Sequence, residues 1–443
     1  MGCRGGNDPG GLVRQKIFLS YIPCFFKLKI MDEGFFTLKE TQSKIRPDGK
    51  KFSCVSCGLY KKARSPKLKP SGNFKKKILN IGEAPGEIDD RRGDQWQGKT
   101  GKYLQRVYKS LGIDLFEDCL NINACHCIPL DKEGNNRAPT NYEIESCRKI
   151  TLDYIDAYQP KLIILLGNSA IYSIIGNRWN KDLRGVARWR GWQIPDLDLN
   201  AWVCPTFHPN YIERSKEDGV EETVWLQDLK EAFQLLKQPL YVYKKPKIEI
   251  IEDLSVLNEI REGTIIAFDY ETTGLKPHAE GHRIVCCSVA TSENHAYVFM
   301  MPKSKRARQP LVDLLMNPDI YKIAANMKFE EIWSRIRLGI PSVKSWIWDT
   351  MVMSHVLDNR KYITGLKFQA YVQFGIIDYD SDVNPYLKPK GAKPSANAIN
   401  QIDILLKKPG GKKKLLTYCA YDSIYEYRLA MKQMEISNYF LPF

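Results

Sequence analysis

The chain has 443 residues, which is enough for two domains that each bury a core. Its 66 lysine and arginine residues against 51 aspartate and glutamate residues give a formal net charge of +15, and this charge favours a polyanionic partner such as nucleic acid. No run of about 18 apolar residues is present to cross a bilayer, and the 12 cysteines are too unevenly placed for the disulfide framework of a secreted protein. We therefore expect a cytoplasmic protein without membrane contact.

The N-terminal residues lack a clear pattern of helices or strands. Residues 1–30 are expected to be a disordered or extraneous extension, because they contain no complete secretion signal. Met31 is a candidate for the natural start. Residues 31–75 are polar and rich in lysine and glycine, and they contain a Cys-x-x-Cys pair formed by Cys54 and Cys57.

From residue 77 the sequence alternates strand and helix patterns. Short apolar runs predict buried strands, while apolar residues spaced three and four apart predict the helices between them. The start of one helix is marked by Thr140 and Glu143, which form a capping box. The alternation predicts a three-layer α/β domain with a mostly parallel sheet. The predicted strands are 78–81, 120–124 and 161–166, and the predicted helices are 103–111, one after the capping box and one opened by Asn168.

A linker is predicted at residues 238–246, where two prolines interrupt a stretch without helical periodicity. The linker separates a first domain at 31–237 from a second α/β domain at 247–443. Within the second domain, residues 387–414 are rich in lysine, proline and glycine. This composition predicts a mobile basic insertion.

Two short acidic motifs in the second domain indicate a metal site. The run 264–269 predicts a buried strand, so Asp269 and Glu271 project from the same strand face. Tyr418 and Asp422 are four residues apart in a helical pattern and share one helix face. Three convergent carboxylates repel one another unless cations lie between them, and their oxygen atoms suit Mg²⁺ or Mn²⁺.

The order of the motifs supports a family resemblance. With the segment NMKFE at 326–330 and the segment DTM at 349–351 between the two acidic motifs, residues 247–436 resemble the proofreading 3′-5′ exonuclease domain of family A DNA polymerases. The resemblance implies a ribonuclease H-like fold. It also implies hydrolysis assisted by two Mg²⁺ or Mn²⁺ ions.

The resemblance assigns roles to the acidic motifs. Asp269, Glu271 and Asp422 hold one metal, and Tyr418 orients the attacking water. The second metal stabilises the leaving 3′ oxygen.

The middle motif departs from the family. The family usually has aspartate where this chain has Glu330, and the adjacent Glu331 could compete for its role. Asp349 is expected to cap the helix that follows it rather than to bind metal.

Three motifs in the first domain support a second resemblance. A glycine-rich segment, IGEAPG at 81–86, follows a predicted strand, where glycines let the backbone approach a ligand closely. The segments QGKTG at 97–101 and PTFHP at 205–209 come later in the same domain. With four spaced cysteines, residues 45–237 resemble the iron-sulfur uracil-DNA glycosylases of family 4 and imply their fold.

This resemblance also assigns roles to individual residues. Glu83 positions water and favours the cationic sugar, and His208 stabilises the departing uracil anion. Asn123 reads the uracil edge. Trp96 stands where the family has a phenylalanine that stacks on the flipped base, so the fit of the pocket changes. The remaining residues expected in the substrate pocket are Gly82 and Ala84.

Four cysteines match the cluster ligands of the glycosylase family, namely Cys54, Cys57, Cys127 and Cys147. Four thiolates suit a [4Fe-4S] cluster or zinc, and their spacing does not decide between the two. The resemblance implies [4Fe-4S]. Cys125 is excluded as a ligand, because it lies two residues from Cys127 and is expected to face the other side of the strand.

A glycosylase-like domain followed by a proofreading exonuclease resembles the N-terminal layout of certain phage family A DNA polymerases. Because the chain ends at Phe443, we expect a split or truncated polymerase that acts with a polymerase core in trans, in the cytoplasm of the host. Single strands or frayed primer 3′ ends are the expected substrates, bound through the basic segments 303–308 and 407–414. The apolar segment 439–443 is either a packed tail or a docking surface for the polymerase.

Two alternatives remain open from the sequence. In the first, the N-terminal half is a non-catalytic DNA-binding module that delivers strands to the exonuclease. In the second, both sites are inactive and the chain is a binding protein, which the intact acidic motifs disfavour.

Overall fold

The computed structural model describes residues 52–179, 181–215, 219–391, 395 and 397–438. The extension expected at 1–30, the candidate start Met31 and the segment 439–443 lie outside the described residues. The described part of the chain belongs to one compact unit that contains two β-sheets. None of the helices in this part is long and apolar enough to cross a membrane.

The first sheet consists of β1 (Ile78–Gly82), β2 (Cys119–Asn123), β3 (Leu162–Leu166), β4 (Ile194–Asp196) and β5 (Ala201–Thr206). The strand order is β2-β1-β3-β5-β4, and only the edge strand β4 pairs antiparallel. Every residue of β1, β2 and β3 is buried, as expected where both faces of a parallel sheet are covered. The prediction of a mostly parallel sheet is therefore confirmed.

The helices of this half are α1 (Cys54–Cys57), α2 (Glu87–Arg92), α3 (Lys99–Ser110), α4 (Asn141–Tyr158), α5 (Asn168–Arg178), α6 (Val186–Trp189), α7 (Pro209–Arg214) and α8 (Val220–Gln234). The capping box predicted for α4 is present, because Thr140 and Glu143 each accept the backbone N–H of the other. Arg137 adds an ion pair to Glu143 at 2.6 Å. Short 3₁₀ helices occupy Leu59–Lys61 and Leu235–Lys237.

The second sheet consists of β6 (Lys247–Ile250), β7 (Ile265–Thr272), β8 (Ile284–Ser292), β9 (His295–Met300), β10 (Tyr321–Ala324) and β11 (Trp346–Asp349). Its strand order is β11-β10-β7-β8-β9-β6. The strands β7, β8 and β9 form an antiparallel meander, while β10 and β11 continue parallel to β7. This arrangement confirms the predicted ribonuclease H-like fold.

The helices of this half are α9 (Lys305–Met316), α10 (Met327–Trp333), α11 (Thr350–Leu357), α12 (Leu366–Phe374), α13 (Ile402–Leu406) and α14 (Gly411–Ile436). Two 3₁₀ helices, Leu254–Glu259 and Asn384–Tyr386, and a π-helical turn, Ser334–Leu338, complete the set. The 26-residue α14 packs across β7, β8 and β9.

The prediction of a mobile insertion at 387–414 is wrong for the second half of that segment. The helix α13 and the first turn of α14 occupy that part, and Ile402 and Leu405 are buried in the core. The lysines at 412–414 are exposed on the first turn of α14. Their abundance therefore reflects the exposed face of a packed helix.

One helix of the second half completes the core of the first. The helix α12 packs against β4, and its Phe368 lies 5.1 Å from Trp189 between ring centroids. Tyr371 of the same helix stacks on Trp179 at 5.8 Å. Each aromatic pair of this kind contributes about 0.5–1.5 kcal/mol beyond the area that it buries. The helix α12 therefore contributes side chains to the cores of both sheets.

Candidate active sites

Three carboxylates converge between the second sheet and α14. Asp269 and Glu271 lie on β7, and Asp422 lies on α14. One oxygen atom from each carboxylate lies within 4.8 Å of the others. This spacing and the all-oxygen donor set fit a hard divalent cation such as Mg²⁺ or Mn²⁺.

The close approach of α14 to the sheet depends on Cys419. The Ser288 hydroxyl of β8 donates a hydrogen bond of 2.7 Å to the carbonyl oxygen of Cys419. The Cys419 sulfur lies 3.8 Å from Oδ2 of Asp269. A small side chain at this position therefore lets the helix carry Asp422 to the strand that carries Asp269.

The electrostatics of this site indicate that cations are needed. Burial, and then the Asp422 carboxylate, raise the pKa of Asp269 to about 7. Burial, and then Asp269, raise the pKa of Glu271 well above its ordinary range. A divalent cation among these oxygen atoms would supply the charge that favours their ionised forms.

Two residues that the sequence motifs did not identify hold the residues of α14 in place. The Lys367 ammonium donates a hydrogen bond of 2.6 Å to the Tyr418 hydroxyl and lies 3.5 Å from Oδ2 of Asp422. The Tyr379 hydroxyl donates to Oδ1 of Asp422 at 2.6 Å. Lys367 belongs to α12, which also packs on the first sheet.

The three acidic residues of the middle motifs have different surroundings. Glu330 lies in the first turn of α10 and is buried, and its Oε2 has no hydrogen-bond partner. Glu331 instead accepts hydrogen bonds from the Val343 N–H at 3.0 Å and from the Trp346 indole at 3.1 Å. Asp349 caps α11 through two backbone N–H groups, which confirms the predicted cap.

The first sheet brings Gly82, Asn123 and Trp96 into contact. A Cβ atom at Gly82 would lie 2.4 Å from the Asn123 amide oxygen and 2.9 Å from the Trp96 ring, so only glycine fits between them. The Asn123 amide nitrogen donates to Oε1 of Gln95 at 2.5 Å. Trp96 has a left-handed backbone with φ of 59°, which is uncommon for a bulky residue and typical of functional sites.

Glu83 lies directly after β1, on the loop that continues to Ala84. Its side chain accepts a hydrogen bond of 2.9 Å from the Ser169 hydroxyl at the start of α5. The carbonyl oxygen of Glu83 accepts from the N–H of Cys125 at 3.0 Å. These contacts fix the loop at the carboxyl end of the sheet, where ligands bind in open α/β folds.

His208 faces the same region from the end of β5. Its ring lies 5.8 Å from that of Trp96, and a Cβ atom at Gly167 would meet the His208 Cβ at 2.9 Å. The His208 Nδ1 accepts the N–H of Asn210 at 3.2 Å and caps α7. The proton of the neutral ring is therefore on Nε2, which is free to donate to a ligand.

His208 is expected to remain neutral above about pH 5. Burial, and then the charge of Arg214, lower the pKa of His208 from 6.5 to about 4. The unfolded chain therefore binds more protons between these two pH values, so the stability that His208 contributes is complete above pH 6.5 and is lost as the pH falls towards 4. An NMR titration of the ring should give a pKa near 4, and a value near 6.5 would contradict this account.

The four predicted ligand cysteines come from three segments near one another. Cys54 and Cys57 lie on α1, Cys127 follows β2, and Cys147 lies on the packed neighbour α4. Burial, together with the nearby Cys147, Cys57 and Cys54, raises the pKa of Cys127 to about 11. The backbone N–H of Lys67 donates a hydrogen bond of 3.2 Å to the Cys127 sulfur. A metal-bound thiolate accepts hydrogen bonds of this kind. This all-sulfur set fits an iron-sulfur cluster or zinc.

The placement predicted for Cys125 is wrong. Its sulfur lies 4.0 Å from that of Cys147, beside the other cysteines rather than facing away from them. Residues two apart in a strand share one face, so the strand period itself does not place Cys125 opposite Cys127, and β2 in any case ends at Asn123.

Two protein families match the chain. Residues 70–233 match the uracil DNA glycosylase superfamily, and residues 248–435 match a family described as 3′-5′ exonuclease. Both matched segments lie within the predicted domains 31–237 and 247–443.

Individual relatives match one or both halves. A type-4 uracil-DNA glycosylase of Thermotoga maritima is 30% identical over 185 residues, which cover 42% of this chain and 90% of that protein. A DNA polymerase of Bacillus phage SP01 is 24% identical over 360 residues, which cover 73% of this chain and 37% of the polymerase. Among solved structures, Brucella melitensis NrnC is 17% identical with a TM-score of 0.30, and the match covers 44% of this chain and 84% of that one.

Proposed function

Because the chain belongs to the type-4 uracil-DNA glycosylase family and carries a 3′-5′ exonuclease domain, we propose that it is a phage replication or repair protein that removes uracil from DNA and degrades strands from their 3′ ends. The observation that carries the exonuclease half is the convergence of Asp269, Glu271 and Asp422 within 4.8 Å. The domain boundaries that we propose are 31–237 and 247–443, joined by the linker 238–246.

In the exonuclease site, the side chains position a strand end and a water molecule. Divalent cations, when bound, would generate the nucleophile from water and stabilise the leaving 3′ oxygen. Asp269, Glu271 and Asp422 would hold the first cation. Tyr418 orients the water, and Lys367 fixes the Tyr418 hydroxyl through its hydrogen bond of 2.6 Å.

Single-stranded or frayed 3′ ends are the proposed substrates, because Glu271 and Asp422 are buried where α14 packs on β7. A paired end would have to open before its last phosphate reached them. Primers with matched and mismatched 3′ ends, labelled at the 5′ end, test this proposal. The mismatched primer should be shortened faster in Mg²⁺, and equal rates would contradict it.

In the glycosylase site, four side chains act on a base extruded from its stack. The Asn123 amide reads the edge of uracil, and Trp96 stacks on its face. Glu83, held by Ser169, positions water and favours the cationic sugar. The neutral His208 ring donates a hydrogen bond from Nε2–H to the departing uracil as negative charge develops, keeping its proton, and its low pKa keeps the ring neutral.

A second candidate function for this half is DNA binding without catalysis. The observation that favours it is Trp96, which replaces a smaller aromatic ring and lies against both Gly82 and His208. A ring of this size would reduce the space for a flipped base. Uracil release by the wild-type protein decides between the two functions.

We propose that Cys54, Cys57, Cys127 and Cys147 hold a [4Fe-4S] cluster. Anaerobically purified protein should be brown and contain iron and sulfide at about four each per chain. A colourless protein with one zinc ion per chain would contradict this proposal. Cys147→Ser should also destabilise the domain, because this ligand joins α4 to α1.

We also propose that the chain works with a family A polymerase core in trans, in the cytoplasm of the infected cell. The similarity to the phage SP01 polymerase supports this partner, and this chain spans 37% of that polymerase. Docking would confine the exonuclease to primer ends by raising its effective concentration there. Affinity purification from infected cells should recover such a core, and its absence would favour a free-standing repair nuclease.

A further inference from the structure

An arginine-rich segment of the first half lies against the second half. The segment 181–190 lies between α5 and β4, and it carries one lysine and three arginines against one aspartate. Arg360, which precedes α12, donates hydrogen bonds to the carbonyl oxygens of Ala187 at 3.2 Å and Arg190 at 2.7 Å. The segment is therefore fixed where the two halves meet.

An exposed ring and a guanidinium stack on each other at this junction. The Arg184 guanidinium carbon lies 3.3 Å from the centroid of the Tyr362 ring, and Tyr362 is still 57% exposed. Both residues have left-handed backbones, with φ of 58° for Arg184 and 68° for Tyr362. Such conformations are uncommon for bulky residues, and they occur preferentially at sites that hold a ligand. The exposed part of the ring thus offers a flat surface beside a positive charge.

Two arginines of the segment carry positive charge that carboxylates balance poorly. Among the described residues, Arg188 forms no ion pair, and its guanidinium instead donates to the carbonyl oxygen of Asp182 at 2.9 Å. Burial, and then the charge of Arg184, lower the pKa of Arg188 to about 10. Arg184 lies 3.5 Å from the Asp182 carboxylate, but both side chains are exposed, so this pair contributes little. An anion bound at this surface would stabilise both guanidinium groups.

One end of the segment lies beside the proposed exonuclease site. Lys181 forms an ion pair of 3.0 Å with Asp380 of the second half. Lys181 also lines the same small cavity as Lys367 and Tyr379. The latter two side chains contact Asp422 of the proposed metal group. A strand whose 3′ end lies at Asp422 would therefore pass close to this end of the segment.

The other end of the segment lies beside the proposed glycosylase site. The Val186 N–H donates to the Asn168 side chain at 2.7 Å, and the residue after Asn168 is the serine that holds Glu83. The Arg190 guanidinium lies 5.9 Å from the ring centroid of Phe207, the residue before the proposed catalytic histidine. The segment therefore extends from one proposed site to the other.

We propose that the segment 181–190 and Tyr362 bind single-stranded DNA, and that one strand extends along them from the exonuclease site to the glycosylase site. The arginines contact its phosphates, and a base stacks on Tyr362. A single strand fits this surface better than a duplex, because the faces of its bases are free to stack on an aromatic ring. This inference rests on the proposed function, which places the 3′ end of the strand at the carboxylates.

Binding in EDTA tests the inference in the full-length protein without any reaction of the exonuclease. A fluorescent single strand without uracil is titrated with protein, and the anisotropy is measured at several salt concentrations. Tyr362→Ala should bind at least about fivefold more weakly, the lower end of the effect of losing one base-stacking ring. Tyr362→Phe keeps the ring and should bind as tightly as the wild type. Arg184→Ala should bind more weakly and reduce the slope of log affinity against log salt by about 0.7, the value for one phosphate contact of a single strand.

The control variant is Tyr158→Ala, because Tyr158 is a 41% exposed tyrosine whose ring packs on Phe74 and Tyr154 of the first half. This variant should retain the wild-type affinity.

Wild-type affinity in both Tyr362→Ala and Arg184→Ala would overturn the inference. It is also overturned if Tyr362→Ala weakens the binding of a duplex of the same length as much as that of the single strand, because paired bases do not offer their faces. If Tyr362→Ala does not fold, the salt dependence of Arg184→Ala decides. An unchanged slope would show that no phosphate is bound there and would overturn the inference.

The path between the two sites is tested with strands that contain one uracil. In EDTA and at limiting protein, uracil release by the wild type should accelerate as nucleotides are added on the 3′ side of the uracil, and Arg184→Ala should lose this gain. Adding the same number on the 5′ side is the matched control and should give no gain that depends on Arg184. Equal gains on both sides would overturn the path. A wild type that releases no uracil from any strand would contradict the proposed glycosylase function, while the binding experiment would still decide this inference.

Discussion

Replacing Asp269 with alanine is expected to abolish the 3′-5′ degradation of DNA. Asp269 belongs to the carboxylate group that, in our proposal, holds the first cation. Its removal should therefore reduce the rate by at least about 10³-fold, the upper end of the loss for one group that stabilises developing charge. The measurement is the single-turnover rate of shortening of a labelled single strand in Mg²⁺.

The control for this experiment is Asp319→Ala, which removes an exposed aspartate of the same half of the chain. The glycosylase activity of the Asp269→Ala variant should stay at the wild-type level, because Asp269 lies on the second sheet and the residues that we propose to act on uracil lie at the first. Loss of both activities in a folded variant would show that the two sites do not act independently.

Replacing His208 with alanine is expected to slow uracil release by about 100-fold or more, the scale for the loss of one preorganised donor. The structural reason is the free Nε2–H, which follows from the hydrogen bond between Nδ1 and the Asn210 N–H. Single-turnover excision from a uracil-containing strand in EDTA measures the effect.

Alanine at this position would also remove the N-cap of α7, which costs about 0.5–2 kcal/mol of stability. His208→Asn separates the two effects, because asparagine is a good N-cap but lacks the imidazole. This variant should release uracil slowly, and its folded state should be as stable as that of the wild type at pH 7.5. If it retains the wild-type rate of release, His208 has only a structural role.

The sequence was sufficient to predict the elements whose signals are local. The capping box at Thr140 and Glu143 marks the start of α4, and the apolar run before Asp269 marks β7. The pairs Asp269–Glu271 and Tyr418–Asp422 depend only on the periods of strand and helix, so their common faces follow from spacing. The convergence of the two pairs required the fold, which the family resemblance supplied.

Contacts between distant segments could not be predicted in this way. Lys367 and Tyr379 approach Asp422 from 55 and 43 residues away in the chain, and no motif marks them. Phe368 and Tyr371 have the spacing of any buried helix face. The pattern therefore does not show that they pack on the first sheet rather than on the second.

The remaining errors have physical causes of the same kind. The prediction for Cys125 fails because residues two apart in a strand share one face, and because β2 ends before Cys125. The composition of residues 387–414 predicts an insertion although part of the segment is helical, because composition does not distinguish an exposed helix face from a loop.

The central claim is that one chain carries two separate activities on DNA, and one gel tests it directly. A 5′-labelled single strand with one internal uracil is incubated with the wild-type protein, with Mg²⁺ or with EDTA, and is then treated with alkali. In EDTA, cleavage is expected only at the uracil position and only after alkali, because base release needs no added divalent metal. In Mg²⁺, a ladder of strands shortened from the 3′ end is expected without alkali. An intact strand in EDTA at high protein excess, or a ladder that persists in EDTA, would contradict the account.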